Sequence, residues 1–226
     1  ALRFEIMRTD SLGIRQGGTT GQRVGLPDLP LRRADGSPND ALVAAHAAIH
    51  ERTVNIADVY AEAGFDFSGT RAFDQRTGYR SQSFLTVPMR NHEGTVIGVL
   101  QLINAIDPAT GQVGPFSLED QSLTESLASQ AAIALSNRLL ISQLETLFES
   151  FVKLINVAID EKSPYTGGHC ERVPQLTMML AEAADATTTG PLADFRMSER
   201  DRYELQMAGL LHDCGKITTP VHVVDK

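Results

Sequence analysis

The chain has 226 residues, of which 42% are hydrophobic and only 6% aromatic, and it carries a formal net charge of −8. That acidity excludes a general affinity for nucleic-acid backbone, which needs clustered Lys and Arg. A nucleotide held through bound cations stays open, because the cation supplies the positive charge.

The first elements read as a strand and a loop. Leu2, Phe4 and Ile6 alternate with Arg3, Glu5 and Met7, the period of a half-buried strand. Residues 15–40 are rich in Gly, Pro, Arg and Asp and read as loop. Asn39 or Asp40 is placed to cap a helix running from Ala41 to His50. Thr53–Val59 is a second strand candidate, and residues 60–80 have room for a short helix. The strongest β signal follows: Ser83–Arg90 and Thr95–Asn104 are two strands joined by the turn Asn91-His92-Glu93-Gly94, an antiparallel hairpin.

The hairpin, SFLTVPMRNHEGTVIGVLQLINA, resembles the two central strands of a GAF domain, the small-molecule sensor module of signalling proteins. The similarity runs over roughly residues 1–140 and implies an α+β fold: a six-stranded antiparallel sheet flanked by helices, with an unknown small molecule as its ligand. The family's first helix and strand would precede Ala1. Cyclic-nucleotide-binding members carry Asn-Lys, then Phe-x-x-x-Asp-Glu. The matching positions here are Asn104-Ala105 and Phe116 to Gln121, so the Lys–Asp salt bridge of those members cannot form. Asn104 and Asp120 are then expected to turn the chain and cap the next helix.

Ser117 with Glu119 and Asp120 marks a helix start, and no Pro or Gly interrupts the chain from Leu118 to Ser163. Leu127, Ala134, Ile141, Phe148 and Ile155 recur every seven residues, accompanied by Leu123, Gln130, Asn137, Leu144, Phe151 and Ala158. Leu140, Leu147 and Leu154 widen the stripe. A sustained seven-residue repeat predicts a long helix over 118–162 that pairs with another helix, here a parallel homodimeric coiled coil. As far as about Asn137 the stripe is expected to pack partly on its own domain.

Pro164 should stop this helix and Thr166-Gly167-Gly168 should turn the chain. His169 opens the next helix, in which Pro174 predicts either a late start or a kink. Ser198 and Asp201 look like a cap and an acidic first turn of a further helix, with Leu205, Ala208, Leu211 and His212 on one side and Gly215 at its end.

The chemistry-bearing residues lie in this last part. Cleaving a phosphodiester requires an activated water and neutralised phosphoryl oxygens, and two close metal ions do both. Imidazole suits Fe, Mn, Zn or Ni, and a carboxylate can bridge two ions. The string Leu-Leu-His-Asp-x-Gly-Lys at 210–216, preceded by Tyr-Thr-x-Gly-His-x-x-Arg-Val at 165–173, resembles the HD-GYP family, a branch of the HD-domain metal phosphohydrolases that hydrolyse the bacterial second messenger cyclic di-GMP. The resemblance implies His169, His212 and Asp213 as ligands of two divalent ions, Fe or Mn, with Asp213 also catalytic. It implies Lys216 as a contact to the substrate phosphate or the metal site. Arg172 matches the motif without an assigned role. Ser163, Tyr165 and Val221 stand where members often carry acids, and Tyr165 favours two ions over three.

The expected organisation is a GAF sensor over 1–140, a linker helix over 118–162, and the N-terminal part of an all-α HD-GYP domain over 163–226. The ligands that the family carries beyond this motif would follow Lys226, so both ends read as cut and these residues alone are expected to be inactive. Two alternatives stand beside the phosphodiesterase reading: a non-enzymatic signalling and dimerisation module, and an HD hydrolase of another nucleotide. Two cysteines, Cys170 and Cys214, each near a ligand histidine, read as reduced thiols in a cytoplasmic protein. No apolar run predicts a membrane span, and no signal peptide is visible.

Overall fold

The structure, a computed structural model, describes residues 1–162, 168–220 and 223. Ser163, Pro164, Tyr165, Thr166, Gly167 and Val221 therefore lie outside the described residues. The chain divides into two compact units, residues 1–138 and 139–226.

In the first unit, β1 (Ile6–Thr9) pairs antiparallel with β2 (Ile14–Gly17) across a turn at Asp10–Gly13. The strand is shorter and later than the alternation from Leu2 predicts, because the pairing runs only four residues back from the turn; Leu2 makes an isolated bridge to Leu29 instead. Helix α1 (Val43–His50) also starts later than expected. Its N-cap is Leu42, with no side-chain cap, because the Asp40 carboxylate reaches past the helix start to His46 and His50.

The main sheet has the order β3 (Val54–Ile56), β4 (Phe84–Arg90), β5 (Val96–Ile103), antiparallel throughout. Asn91 holds the β4–β5 turn: its Oδ1 accepts from the Glu93 and Thr95 amides, while Gly94 takes φ 80°. The sheet has three strands among the described residues, not six. Asn104, at φ 65°, bends the chain out of β5, so β6 (Ala105–Ile106) pairs with β7 (Val113–Gly114) in a separate two-stranded sheet. Its side chain locks that bend, accepting from the Gln82 amide and donating to the Tyr79 hydroxyl and the Arg80 carbonyl.

β4 is buried on both faces, as a central strand must be when both sides are covered. Phe84 packs with Val43, Ile56, Val59 and Phe67 on one face, where α1 and the residue that caps α2 (Ser68–Thr77) contribute. Leu85 and Val87 pack on the other against Ala128, with Met89, Leu100 and Phe116 at the rim. Buried side chains of this size are each worth about 1.5–3 kcal/mol relative to exposure.

Ala128 belongs to α3 (Leu118–Lys162), a single 45-residue helix. Its start is a reciprocal cap: Ser117 Oγ accepts from the Asp120 amide, and Asp120 Oδ2 accepts from the Ser117 amide. In the first unit its buried face is Thr124, Ala128, Ala132 and Ser136, small residues that let the helix lie close to the sheet. The seven-residue stripe is elsewhere. Leu123 and Leu127 are already more than half exposed, so the stripe does not pack on its own domain in its early turns. Ile141, Leu144, Leu147, Phe151 and Leu154 continue it, also exposed.

In the second unit, the end of α3 supplies Val152, which packs with Met207 and Leu210 of α5 (Glu199–Leu211) and with Tyr203 and Leu211 beside them. Between them in sequence is α4 (His169–Asp185), which begins at His169 with Pro174 inside it. The capping box expected at α5 is present in full, Ser198 with Asp201. The helix ends at Leu211, not at Gly215: Cys214–Ile217 tighten into a 3₁₀ turn, with the Lys216 amide on the Asp213 carbonyl. No described helix is long and apolar enough to cross a membrane.

Candidate metal centre

The site is built where the start of α4 meets the end of α5. Gly168 caps α4 in the left-handed region at φ 73°, and its amide donates to Asp160 Oδ2 on α3 at 3.1 Å. That anchor fixes where His169, the first helical residue, begins. α4 and α5 cross closely because Gly209 faces Pro174: a β-carbon at Gly209 would stand only 3.1 Å from Pro174 Cα. Pro174, which has no N–H to place in the helix, is thus buried at the crossing. Arg202 reinforces it with an ion pair to Asp185 at 2.8 Å.

His212 is the C-terminal cap of α5, where helix carbonyls lack partners. Its Nδ1 donates to the Gly209 carbonyl at 2.7 Å, which leaves the Nε2 lone pair facing away from the helix. His212 Nε2 stands 3.1 Å from His169 Nε2 and 3.3 Å from Asp213 Oδ2, and His169 Nε2 stands 3.5 Å from the same oxygen. Ligand atoms about 2.1 Å from one ion are about 3.0–3.4 Å apart. The triangle has that size before any rearrangement, and two imidazoles with a carboxylate suit a divalent transition ion. The residues present therefore fit a metal. The three described ligands enclose one ion position; they do not by themselves enclose a second.

Asp213 is the most sheltered of the three, its side chain 16% exposed against 38% for His169. Burial pushes its carboxyl up, but the hydrogen bond from Lys216 and the charges of His212, Lys216 and His169 outweigh it and hold the group below the usual carboxylate range. Lys216 Nζ lies 2.6 Å from Asp213 Oδ2, the oxygen that faces both histidines. All four residues singled out in the sequence are thus within one cluster. Arg172, on the first turn of α4, shares its backbone amide with the Gly168 carbonyl.

Two further residues went unnoticed in the sequence. Asp160 holds Gly168 and lies beside the buried Cys170 thiol, which burial and that neighbouring carboxylate push up to about 11. Asn156, one turn earlier, is buried with both amide atoms unpartnered among the described residues, as is Asp160 Oδ1. Polar residues at i and i+4 interrupting the apolar face of α3 were the available signal. Cys170 and Cys214 are both free thiols, the first buried and the second exposed.

Comparison with known proteins settles the family. The GAF domain family matches residues 6–135, more than half of the chain. The chain belongs to the GAF domain family. Its GAF domain is followed by an HD domain, matched over residues 166–226, which includes the cluster just described. The chain is also similar to the dual 3′,5′-cyclic-AMP and -GMP phosphodiesterase 11A of Takifugu rubripes, at 30% identity over 118 residues. That match covers 52% of this chain and 12% of the relative, so the chain spans only a small part of that protein's length. In the GAF domain, Asn104 and Asp120 are committed to the bend after β5 and the cap of α3.

Proposed function

We propose that this chain serves a metal-dependent phosphodiesterase regulated by its GAF domain, and that the substrate is cyclic di-GMP. The observation that carries the reading is the triangle of His169 Nε2, His212 Nε2 and Asp213 Oδ2, with edges of 3.1–3.5 Å inside an HD domain. The choice of cyclic di-GMP rests on the HD-GYP-like strings around His169 and His212. Divalent ions, Fe or Mn, would be held by His169, His212 and Asp213, and would supply water activation and charge neutralisation at phosphorus. Hydrolysis adds water across a P–O bond: the water oxygen joins phosphorus, and a proton ends on the departing oxygen. The hydrogen bond and charge of Lys216 hold the Asp213 carboxyl below the usual carboxylate range, which favours the ionised form a ligand needs. Lys216 presents an ammonium charge at the rim of the same carboxylate, placed to pair with a phosphoryl oxygen.

The exposed seven-residue stripe on α3 supports a homodimer, with the second copy covering Ile141, Leu144, Leu147, Phe151 and Leu154. Such a paired helix would carry a change in the GAF domain toward the HD domain.

A second reading is favoured by the relative's name: the substrates would be cyclic AMP and cyclic GMP. Hydrolysis assays of the full natural protein with Mn or Fe, offered each nucleotide in turn, separate the two. Conversion of cyclic di-GMP to a linear dinucleotide, lost in Asp213→Ala, is expected. Turnover of the mononucleotides alone favours the second reading, and turnover that survives Asp213→Ala contradicts both.

A further inference from the structure

A second convergence of ligand-type side chains lies in the GAF domain. His46 and His50 are four residues apart on α1 and so share one face of the helix. Asp40, ahead of the helix, turns its carboxylate onto both: Oδ1 is 3.2 Å from His46 Nδ1 and 2.6 Å from His50 Nε2. The rings lie 4.4 Å apart between centroids, and one ligand atom from each of the three residues falls within 4.8 Å of the other two. Besides the HD cluster, this is the sole such grouping among the described residues.

We propose that Asp40, His46 and His50 form a transition-metal site in the GAF domain, independent of the HD centre. Two imidazoles and one carboxylate select ions such as Zn(II), Co(II), Ni(II) or Cu(II) over Mg(II) or Ca(II), which prefer oxygen ligands. Three protein ligands leave further positions to water, and the partial exposure of His50 and Asp40 admits it. The Asp40 carboxylate stands closest to His50. Its 2.6 Å contact with His50 is tighter than ligands around one ion, so the half-exposed carboxylate must withdraw by less than about 1 Å on binding.

The consequence reaches the core. His46 meets Phe65 edge-on at 5.3 Å, Phe65 meets Phe67 at 6.4 Å, and Phe67 meets Phe84 at 5.8 Å. An ion at this site would tie the segment before α1 to its last turn and brace the helix on that aromatic series. Metal occupancy would then stiffen the sensor domain.

The test uses the chain carrying Asp213→Ala, which removes a ligand from the HD cluster. Zn(II) binding is measured by equilibrium dialysis, and Co(II) binding by its visible absorption. One ion should still bind, and adding His50→Ala or Asp40→Asn should weaken it by roughly a hundredfold or more, the upper end of what loss of an outer-shell partner commonly costs. Both residues are solvent-accessible, and far-UV circular dichroism checks that the helix remains. No ion bound in the Asp213→Ala chain, or either added variant binding as tightly as its parent, overturns the proposal.

Discussion

His169 Nε2 and His212 Nε2 face one another at 3.1 Å, although the two residues are 43 apart in sequence. One ring nitrogen can donate to the other at that distance, but the Asp213 carboxylate completes a three-cornered space more suited to a cation. His212 is oriented by its bond to the Gly209 carbonyl, and His169 by the start of α4. The geometry therefore depends on how closely α4 and α5 cross.

Gly209→Ala tests that dependence. The added β-carbon would meet the backbone of Pro174 at 3.1 Å, and backbone cannot swing aside as a long side chain can. Overpacking of this kind costs about 1–3 kcal/mol. Thermal unfolding should show the loss, and divalent-ion affinity should fall with it because α5 carries His212 and Asp213 away from His169. Ala208→Gly, one residue away, should lower stability only through helix propensity and leave ion affinity in place.

The two thiols should differ in reactivity. Cys170 is buried, beside Asp160, and its thiol is pushed up to about 11, so almost none is thiolate near neutral pH. Cys214 is exposed. Alkylation of the folded chain at pH 8, read by mass spectrometry, should modify Cys214 and spare Cys170 until the protein is unfolded. Equal labelling would show that Cys170 is not packed as described.

The capping box of α5 gives a pH prediction. Asp201 accepts from the Ser198 amide and hydroxyl, and these bonds hold its carboxyl below 3.8, the unfolded value. A depressed carboxyl stabilises the fold above the unfolded pKa, and that contribution disappears as pH falls through the lower, folded pKa. Asp201→Asn should therefore reduce stability at pH 7 and make little difference well below pH 3.8. Ser198→Ala should cost about 1 kcal/mol in denaturant unfolding at neutral pH.

Dimerisation rests on the exposed stripe of α3. Analytical ultracentrifugation should give a dimer mass for the chain, and Leu147→Glu, a charge in the middle of the stripe where the side chain is 66% exposed, should shift it to monomer without unfolding it. A monomer at all concentrations would remove the coiled coil from the account.

Local signals carried most of what the sequence revealed. The β4–β5 hairpin was marked by its Asn-x-x-Gly turn, α3 by its uninterrupted run from Ser117, and α5 by Ser198 and Asp201 three residues apart. His169, His212 and Asp213 could be singled out because each sits in a short, specific string, and the structure brings them together. What stayed hidden depended on distant partners or unusual backbone. The bend at Asn104 needs a positive φ that an Asn tolerates but does not announce. Asp40 looked like a cap because nothing local says that its carboxylate reaches His50, ten residues on. The apolar stripe of α3 masked the quieter face of Thr124, Ala128, Ala132 and Ser136, which does the packing.

The central claim is that His169, His212 and Asp213 hold a cation between them. Metal analysis of the chain after equilibration with Mn(II) or Fe(II), beside Asp213→Ala treated identically, tests it most directly. At least one ion fewer should remain in the variant, with affinity at the HD site reduced roughly tenfold or more. Equal metal content in the two proteins, with the variant folded, would contradict it.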